Sequence, residues 1–514
     1  GEVFVEETIF VTGGTSLNVT GAEPGAVVDG GGSTQLFYVD EGSSLHLSDM
    51  TMSNGNTTGD GGAIYASQSN VSFSGMSFVS NSAGDDGGAI YAYISTVYWV
   101  GDGTLFISNS AGGDDGGAIF SYSSTVSWDG DGTKFISNSA KSSGGTIFSY
   151  NSTVSWVGDG TEFISNSAEF NGGAIYSYSS TVSWVGDDTQ FSSNSAEGNG
   201  GAIHSYRSTV SWVGDDTQFS SNSANSLGGA ISALNESTVC WDGDGTQFGY
   251  NSAGAGGGAI SARSDSTVSW DGDSTHFSSN SAEQGGGGAV LAWSDSTVSW
   301  HGDSTTFAFN FADDGGGAFN LYSTPLSWTG HGTQFTSNFA GEDGGAISAK
   351  ATSTVSWDGD DTLFSSNFAN SSGGAIFGAF SDVFWNGTTR NTTFSRNGAG
   401  LNGGALSLYE KQYSNVIHME GGVFIENSAE VFGGALHTDA VQYVEFSNLT
   451  FESNWAGESG GAIAAYATGS EFVPATFSRC NFSGNAAGNA GGAVDTLSGQ
   501  QDFFSCSFER NSAG

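Results

Sequence analysis

Asp102, Asp131, Asp159, Asp187, Asp215, Asp244, Asp273 and Asp303 occupy one fixed step of a repeating sequence, followed at that step by His331 and Asp360. They sit in Gly-rich turns such as VGDG, DGDG and VGDD, directly after a recurring tryptophan. Carboxylates in this pattern can do two kinds of chemistry. Each can cap its own turn by accepting backbone N–H groups, with solvent and salt screening the remaining charge. The row can instead hold divalent cations, because carboxylates and turn carbonyls are the oxygen ligands that Ca2+ accepts. Asp131, Asp159, Asp187, Asp215, Asp244 and Asp273 are the expected positions, and only as weak Ca2+ sites, since the turns lack the dense Asp-x-Asp spacing and closing Glu of a dedicated loop. No other cofactor is expected.

Catalytic chemistry has weaker support. Gly330-His331-Gly332 has the look of a polygalacturonase motif, but His331 stands where other repeats carry Asp and is therefore a variant within a series. Polysaccharide lyases need a basic group to abstract or stabilise, and Arg207, Arg263 and Lys350 are isolated on distant repeats. No nucleophile elbow, phosphate-binding loop or His/Cys metal cluster is present in the sequence. A non-enzymatic protein is expected, with a polysaccharide-binding or polysaccharide-degrading β-helix enzyme as the alternative. Cys480 and Cys506 each stand two residues before a repeat phenylalanine, Phe482 and Phe508. They should lie on adjacent coils, where Cα separations of about 4.4 to 6.8 Å suit a disulfide; two free thiols are the other outcome.

The repeat itself positions all of these groups. A Gly-Gly pair recurs sixteen times, before Ala63 through Ala493, at spacings of 26 to 31 residues. Self-similarity at this period makes each unit contact only its neighbours, so one elongated body is expected. Three short alternating segments fill each repeat, typified by AIYSY, TVSW and TQFSSN, bounded by Gly, Asp, Ser or Asn. Three strands per repeat of about 28 residues define an all-β, right-handed parallel β-helix. Sixteen coils at the usual strand spacing would extend about 75 Å. Residues 1–60 form its opening coils, 61–400 its regular Trp-containing coils and 401–514 less regular continuing coils.

Parity within each segment separates inside from outside. Ile175 and Ser177 point inward with Val182, Trp184 and Phe191, leaving Tyr176, Thr181, Ser183 and Gln190 outside. Tryptophan recurs at one step from Trp99 to Trp385, with Val two residues earlier in most of these segments, which assigns it to the core. The Asn of F-x-x-N, from Asn81 to Asn511, is present in every repeat and is read as structural, its amides bonding from coil to coil. On the outside, Tyr93, Tyr122, Tyr150, Tyr178 and Tyr206 form an aromatic strip of the kind that marks a contact surface. Thr125/Ser127 and their equivalents form a flat array that keeps an ice-binding solenoid as a further alternative.

GGAI or GGAL pairs alternating with F-x-x-N over about residues 61 to 511 resemble the polymorphic outer-membrane proteins of chlamydiae. The resemblance implies a parallel β-helix passenger region that acts as an adhesin. The stretch from Ala26 to Gly55 is similar to the opening coils of extracellular pectin-lyase-like β-helices. The present repeats depart from that pattern in their greater regularity and in the tryptophan row.

Composition bounds the partners. With 53 acidic residues against 10 Lys plus Arg, the formal charge is -43, which repels phosphate-rich partners and excludes nucleic acid. Gly numbers 82 and Pro 3, while aromatics reach 13%, more apolar surface than a disordered Gly/Ser chain carries. No stretch approaches the roughly 18 apolar residues of a membrane span, the opening GEVFVEETIF lacks a basic leader, and FERNSAG stops midway through a repeat, so the native chain is expected to continue past Gly514. N-x-S/T sequons at Asn18, Asn151, Asn235, Asn391 and Asn481 permit glycosylation. The expectation is an extracellular or cell-surface structural or adhesive rod, or a fibre component. Its partners would be copies of itself, neighbouring surface proteins or glycans.

Overall fold

The computed structural model describes residues 1–23, 25–385, 392–409, 416–439, 443–466, 475–496 and 501–514. Its contacts cluster into two compact units, Gly1–Ala253 with Asp265–Thr267 and Gly254–Ser264 with Val268–Gly514. The chain is an all-β parallel solenoid with about 28 residues per coil and three parallel sheets, and no helix occurs among the described residues.

One coil of the first unit shows how the sequence builds it. Ile203–Tyr206, Thr209–Trp212 and Gln218–Ser220 are the three expected strands, and Ser223–Ala224 is a fourth, two-residue strand. The last two form one ribbon bent at Ser221, whose φ of 58° is left-handed. Every strand pairs in register with its equivalent one coil on: Ile203 with Ile231, Trp212 with Trp241, Phe219 with Phe248 and Ser223 with Ser252. Insertions fall in turns. The link from Leu234 to Thr238 is one residue longer than that from Tyr206 to Thr209, and Asn235 and Glu236 absorb it at φ 54° and 61°.

The second unit repeats this plan until Asp382–Trp385, the last strand of the tryptophan sheet. Beyond it, the ten-residue strands Val416–Ile425 and Tyr443–Glu452 pair with each other, replacing two short segments by one.

The core follows parity. Trp99 to Trp385 are buried throughout. Indoles on adjacent coils stack at 4.5 Å for Trp99 and Trp128 and at 4.9 Å for Trp300 and Trp328, within the offset-stacking range. Between Trp156 and Trp184 the row turns edge-on, at 78° and 6.5 Å. The Gly-Gly pair has a steric origin at its second member: a Cβ on Gly201 would lie 2.2 Å from the Gly229 carbonyl oxygen and 2.5 Å from that of Ser223.

One assignment is corrected. The residue between the inward Ile and the inward small residue, placed outside by parity, is covered. Phe120, Phe148, His204, Leu291 and Phe377 at this step are all buried. Parity holds for the sheet, but the turn preceding Gly-Gly lies over the sheet's outer face. Asn320 donates from Nδ2 to the Gly285 carbonyl of such a turn at 2.6 Å, and a Cβ on Gly256 would press 2.8 Å against Leu291. A second aromatic row therefore runs beneath the turns, from Tyr65 through Tyr91, Phe120, Phe148 and Tyr176 to His204, at spacings of 4.9 to 5.2 Å. Burial there pulls the His204 imidazole down to about 4, so it stays neutral at physiological pH.

Candidate interaction surfaces

The sixteenfold asparagine is saturated by the fold. Asn194 Nδ2 donates to the Phe163 carbonyl of the preceding coil at 2.9 Å and to Asn222 Oδ1 of the next at 3.0 Å. Its own Oδ1 accepts from the backbone N–H and the Nδ2 of Asn166. The same pattern runs from Asn81 to Asn251 in the first unit and from Asn280 to Asn511 in the second. A buried amide with all its bonds made has nothing left for a ligand.

The tryptophan-turn aspartates are used similarly, with a change of direction. The expectation was a cap within each turn; Asp102 to Asp215, Asp273 and Asp303 instead cap the equivalent turn one coil on. Asp102 Oδ1 accepts the Asp131 N–H at 2.9 Å, and the series continues through Asp131, Asp159, Asp187 and Asp215 to the Asp244 N–H. In the second unit Asp273 caps Asp303, Asp303 caps His331, and His331 Nδ1 accepts the Asp360 N–H at 3.0 Å. His331 thus replaces an aspartate as acceptor, which is why histidine is admitted there. No cluster of three or more His, Cys, Asp or Glu that could hold a metal ion occurs among the described residues. Ca2+ binding through the remaining carboxylate oxygens is a proposal that thermal unfolding decides. Millimolar Ca2+ must raise the midpoint beyond Na+ of equal ionic strength, and equal midpoints leave capping as the row's role.

A second carboxylate row lay unnoticed in the sequence. Asp60, Asp86 and Asp115 stand just before their Gly-Gly pairs, and Asp86 Oδ1 accepts the Asp115 N–H at 2.9 Å. Burial, with the neighbouring Asp115, Asp60 and Asp114 charges adding to it, pushes the Asp86 carboxyl up to about 7. A folded-state value above the unfolded one means the fold prefers the protonated acid, so stability is lost as pH rises from about 4 to about 7. Asn171 fills this step two coils beyond Asp115 and accepts the Asn199 N–H without carrying charge. Asp86→Asn is accordingly expected to stabilise the protein at pH 8 by about 1–2 kcal/mol, after allowance for screening by solvent, and to leave pH 3 unchanged. Urea unfolding at the two pH values checks this; an unchanged pH dependence contradicts it.

Tyr93, Tyr122, Tyr150, Tyr178 and Tyr206 are half-buried rather than fully exposed. Their rings stack on one another at 4.9 to 5.2 Å, which consumes the faces and leaves the edges outward. Arg207 covers the end of the row, 5.5 Å over Tyr206. The other isolated cations do likewise, Arg263 over Trp293 at 4.9 Å and Lys350 over Phe377 at 5.7 Å. Thr125 and Thr153 are exposed on the tryptophan sheet, with Ser127 and Ser155 half-buried beside them. Of the sequons, Asn18, Asn151 and Asn481 are exposed and Asn235 is half-buried; Asn391 lies outside the described residues.

Strand register sets Cys480 beside Cys506 on adjacent coils, one step before Asn481 and Ser507. Both are thiols in this structure. Burial pushes the Cys480 thiol up to about 11, with the Cys506 neighbour contributing. A bond between them is a proposal for non-reducing peptide mapping.

The profile of the Chlamydia polymorphic membrane protein repeat matches the chain at residues 75–93, 188–206, 216–234, 332–350, 361–379 and 448–466. Each matched stretch holds the core phenylalanine, the ladder asparagine and the Gly-Gly pair. This chain carries polymorphic membrane protein repeats. In this chain the groups those stretches share stack one coil on the next, so the likeness speaks to architecture before it speaks to partners. No curated protein and no solved structure matches the chain.

Proposed function

We infer that the protein is a non-enzymatic repeat protein of the cell surface that presents the same outer rows, coil after coil, to neighbouring surface molecules or glycans. One observation carries this reading: the polar groups that recur often enough to suggest chemistry, the asparagines and the turn aspartates, accept hydrogen bonds from the adjacent coil. A polysaccharide lyase would need cations to converge on one cleft, whereas Arg207, Arg263 and Lys350 lie on aromatic rings of separate coils and Lys134 and Arg396 pair with Glu162 and Glu426. Equal coils give extended surfaces suited to many weak, parallel contacts. The membrane-protein repeats agree with a surface location.

Beads coated with the purified chain test the reading. They are expected to adhere to cells or immobilised surface glycans in a saturable way that soluble chain competes away. Adhesion no greater than that of beads coated with an unrelated protein of similar negative charge contradicts it.

A further inference from the structure

The step after the ladder asparagine is serine in the first eight repeats, from Ser82 to Ser281. It then becomes Phe311, Phe339 and Phe368 on three successive coils before Gly398. The fold does not ask for this, because serine at the same step pairs in the same register, Ser195 with Ser223 as Phe311 with Phe339. Nor does the core use the rings, since the alternate residues Ala312, Ala340 and Ala369 point inward and Phe311 and Phe368 remain 39% and 42% exposed. The three rings form one surface, at 5.4 Å and 5° between the first two and 5.9 Å and 17° between the second two. Its far end is shaped by Gly398, where a Cβ would lie 2.9 Å from Phe368 Cδ2. The ring extends over the next coil because that side chain is missing.

We propose that this phenylalanine strip docks a basic polypeptide segment with an apolar face. Exposed stacked rings on successive coils are a contiguous apolar patch of the kind that marks a binding surface. Charge selects the partner. Asp313 follows Phe311 by two residues on the same outer face, and Glu283 and Glu342 lie in the neighbouring turns, all exposed. None of these three has an ion-pair partner among the described residues, and the nearby Arg396 is taken by Glu426 at 2.6 Å. Rings flanked by unneutralised carboxylates favour Lys or Arg side chains, whose aliphatic stems lie on the rings while their charges reach the carboxylates. A second copy of this chain, at net -43, brings the wrong sign.

The proposal rests on the surface-contact reading and is tested separately from it. The full chain is titrated with a fluorescent synthetic helix bearing Lys on one face and Leu on the other, and with its Glu/Leu counterpart. Wild type is expected to bind the Lys/Leu peptide, less tightly as salt rises, and not to bind the Glu/Leu peptide. Phe311→Ser, Phe339→Ser and Phe368→Ser together restore the residue of the other coils, so the fold persists, and affinity should fall about tenfold or more. Asp313→Asn with Glu342→Gln should weaken binding and flatten its salt dependence. Tyr122→Ser with Tyr150→Ser should leave it unchanged. Equal peptide affinity for wild type and the triple serine variant overturns the proposal, because the attraction is then the diffuse charge of the whole chain. So does loss of self-association or of glycan binding, with peptide binding intact, in that variant. Bead adhesion that survives in the triple serine variant while its peptide affinity equals that of wild type retains the surface reading and overturns this strip alone.

Discussion

Asn194→Ala is expected to destabilise the first unit by about 4 kcal/mol, because one truncation strands several buried partners at once. The Phe163 carbonyl loses the Nδ2 donor, Asn222 Oδ1 keeps only the backbone N–H of residue 194, and the backbone N–H and Nδ2 of Asn166 lose their acceptor. Asn194 is fully buried, so water cannot replace those bonds without the coils parting. Asn194→Asp sharpens the test. It keeps an acceptor for Asn166 but turns oxygens toward two acceptors, and it buries a charge at neutral pH. It should therefore be at least as damaging as alanine at pH 7 and partly recover at pH 4, where the acid can donate one bond. Chemical unfolding followed by tryptophan fluorescence reads both variants. A loss under 1 kcal/mol for Asn194→Ala shows that stacking of the core rings suffices without the amides.

Gly201→Ala is expected to do comparable damage by a different route. The new methyl would meet two carbonyl oxygens, of Gly229 and Ser223, at 2.2 and 2.5 Å. Backbone cannot yield as a flexible side chain does. The coil-to-coil bonds from Gly201 N to Gly228 O at 3.1 Å and from Ala202 N to Ala230 O at 2.9 Å would have to open. A loss of about 4 kcal/mol or more follows. Gly160→Asp is the matched control: its φ is 66°, no atom lies within 4 Å of a built Cβ, and the equivalent residues of the next two coils are Asp188 and Asp216 at 57° and 55°. That change is expected to stay within about 1 kcal/mol of wild type. If both glycines tolerate substitution equally, close approach of the coils is not what selects Gly-Gly.

The inward rows were legible because their information is local. Val182, Trp184 and Phe191 alternate with polar residues, and period two on a strand fixes which side is dry. The amide row was legible because one residue type at one step, stacked like on like, has few other uses. What parity could not supply was the fate of the outer face. Tyr176 and His204 point away from the core and are nevertheless covered, by a turn whose path depends on the coil as a whole. Capping direction failed to show for the same reason. Asp159 and the N–H it serves on Asp187 are 28 residues apart, although each sits in an equivalent turn. Asp60, Asp86 and Asp115 read as ordinary turn residues in the sequence, but burial weakens the acidity of all three, and that of Asp86 furthest. Phe311, Phe339 and Phe368 were visible in the sequence, but as exceptions to the repeat rather than as part of it.

Cell-surface contact without chemistry is the central claim, and incubation of the purified chain with a panel of soluble polysaccharides tests it most directly. Chain length and new reducing or unsaturated ends are followed over time, while binding to the same panel is measured in parallel. Polysaccharides of unchanged length are expected at every ratio of protein to polysaccharide, whether or not they are bound. Progressive shortening of any one of them, in proportion to the amount of protein, would contradict it.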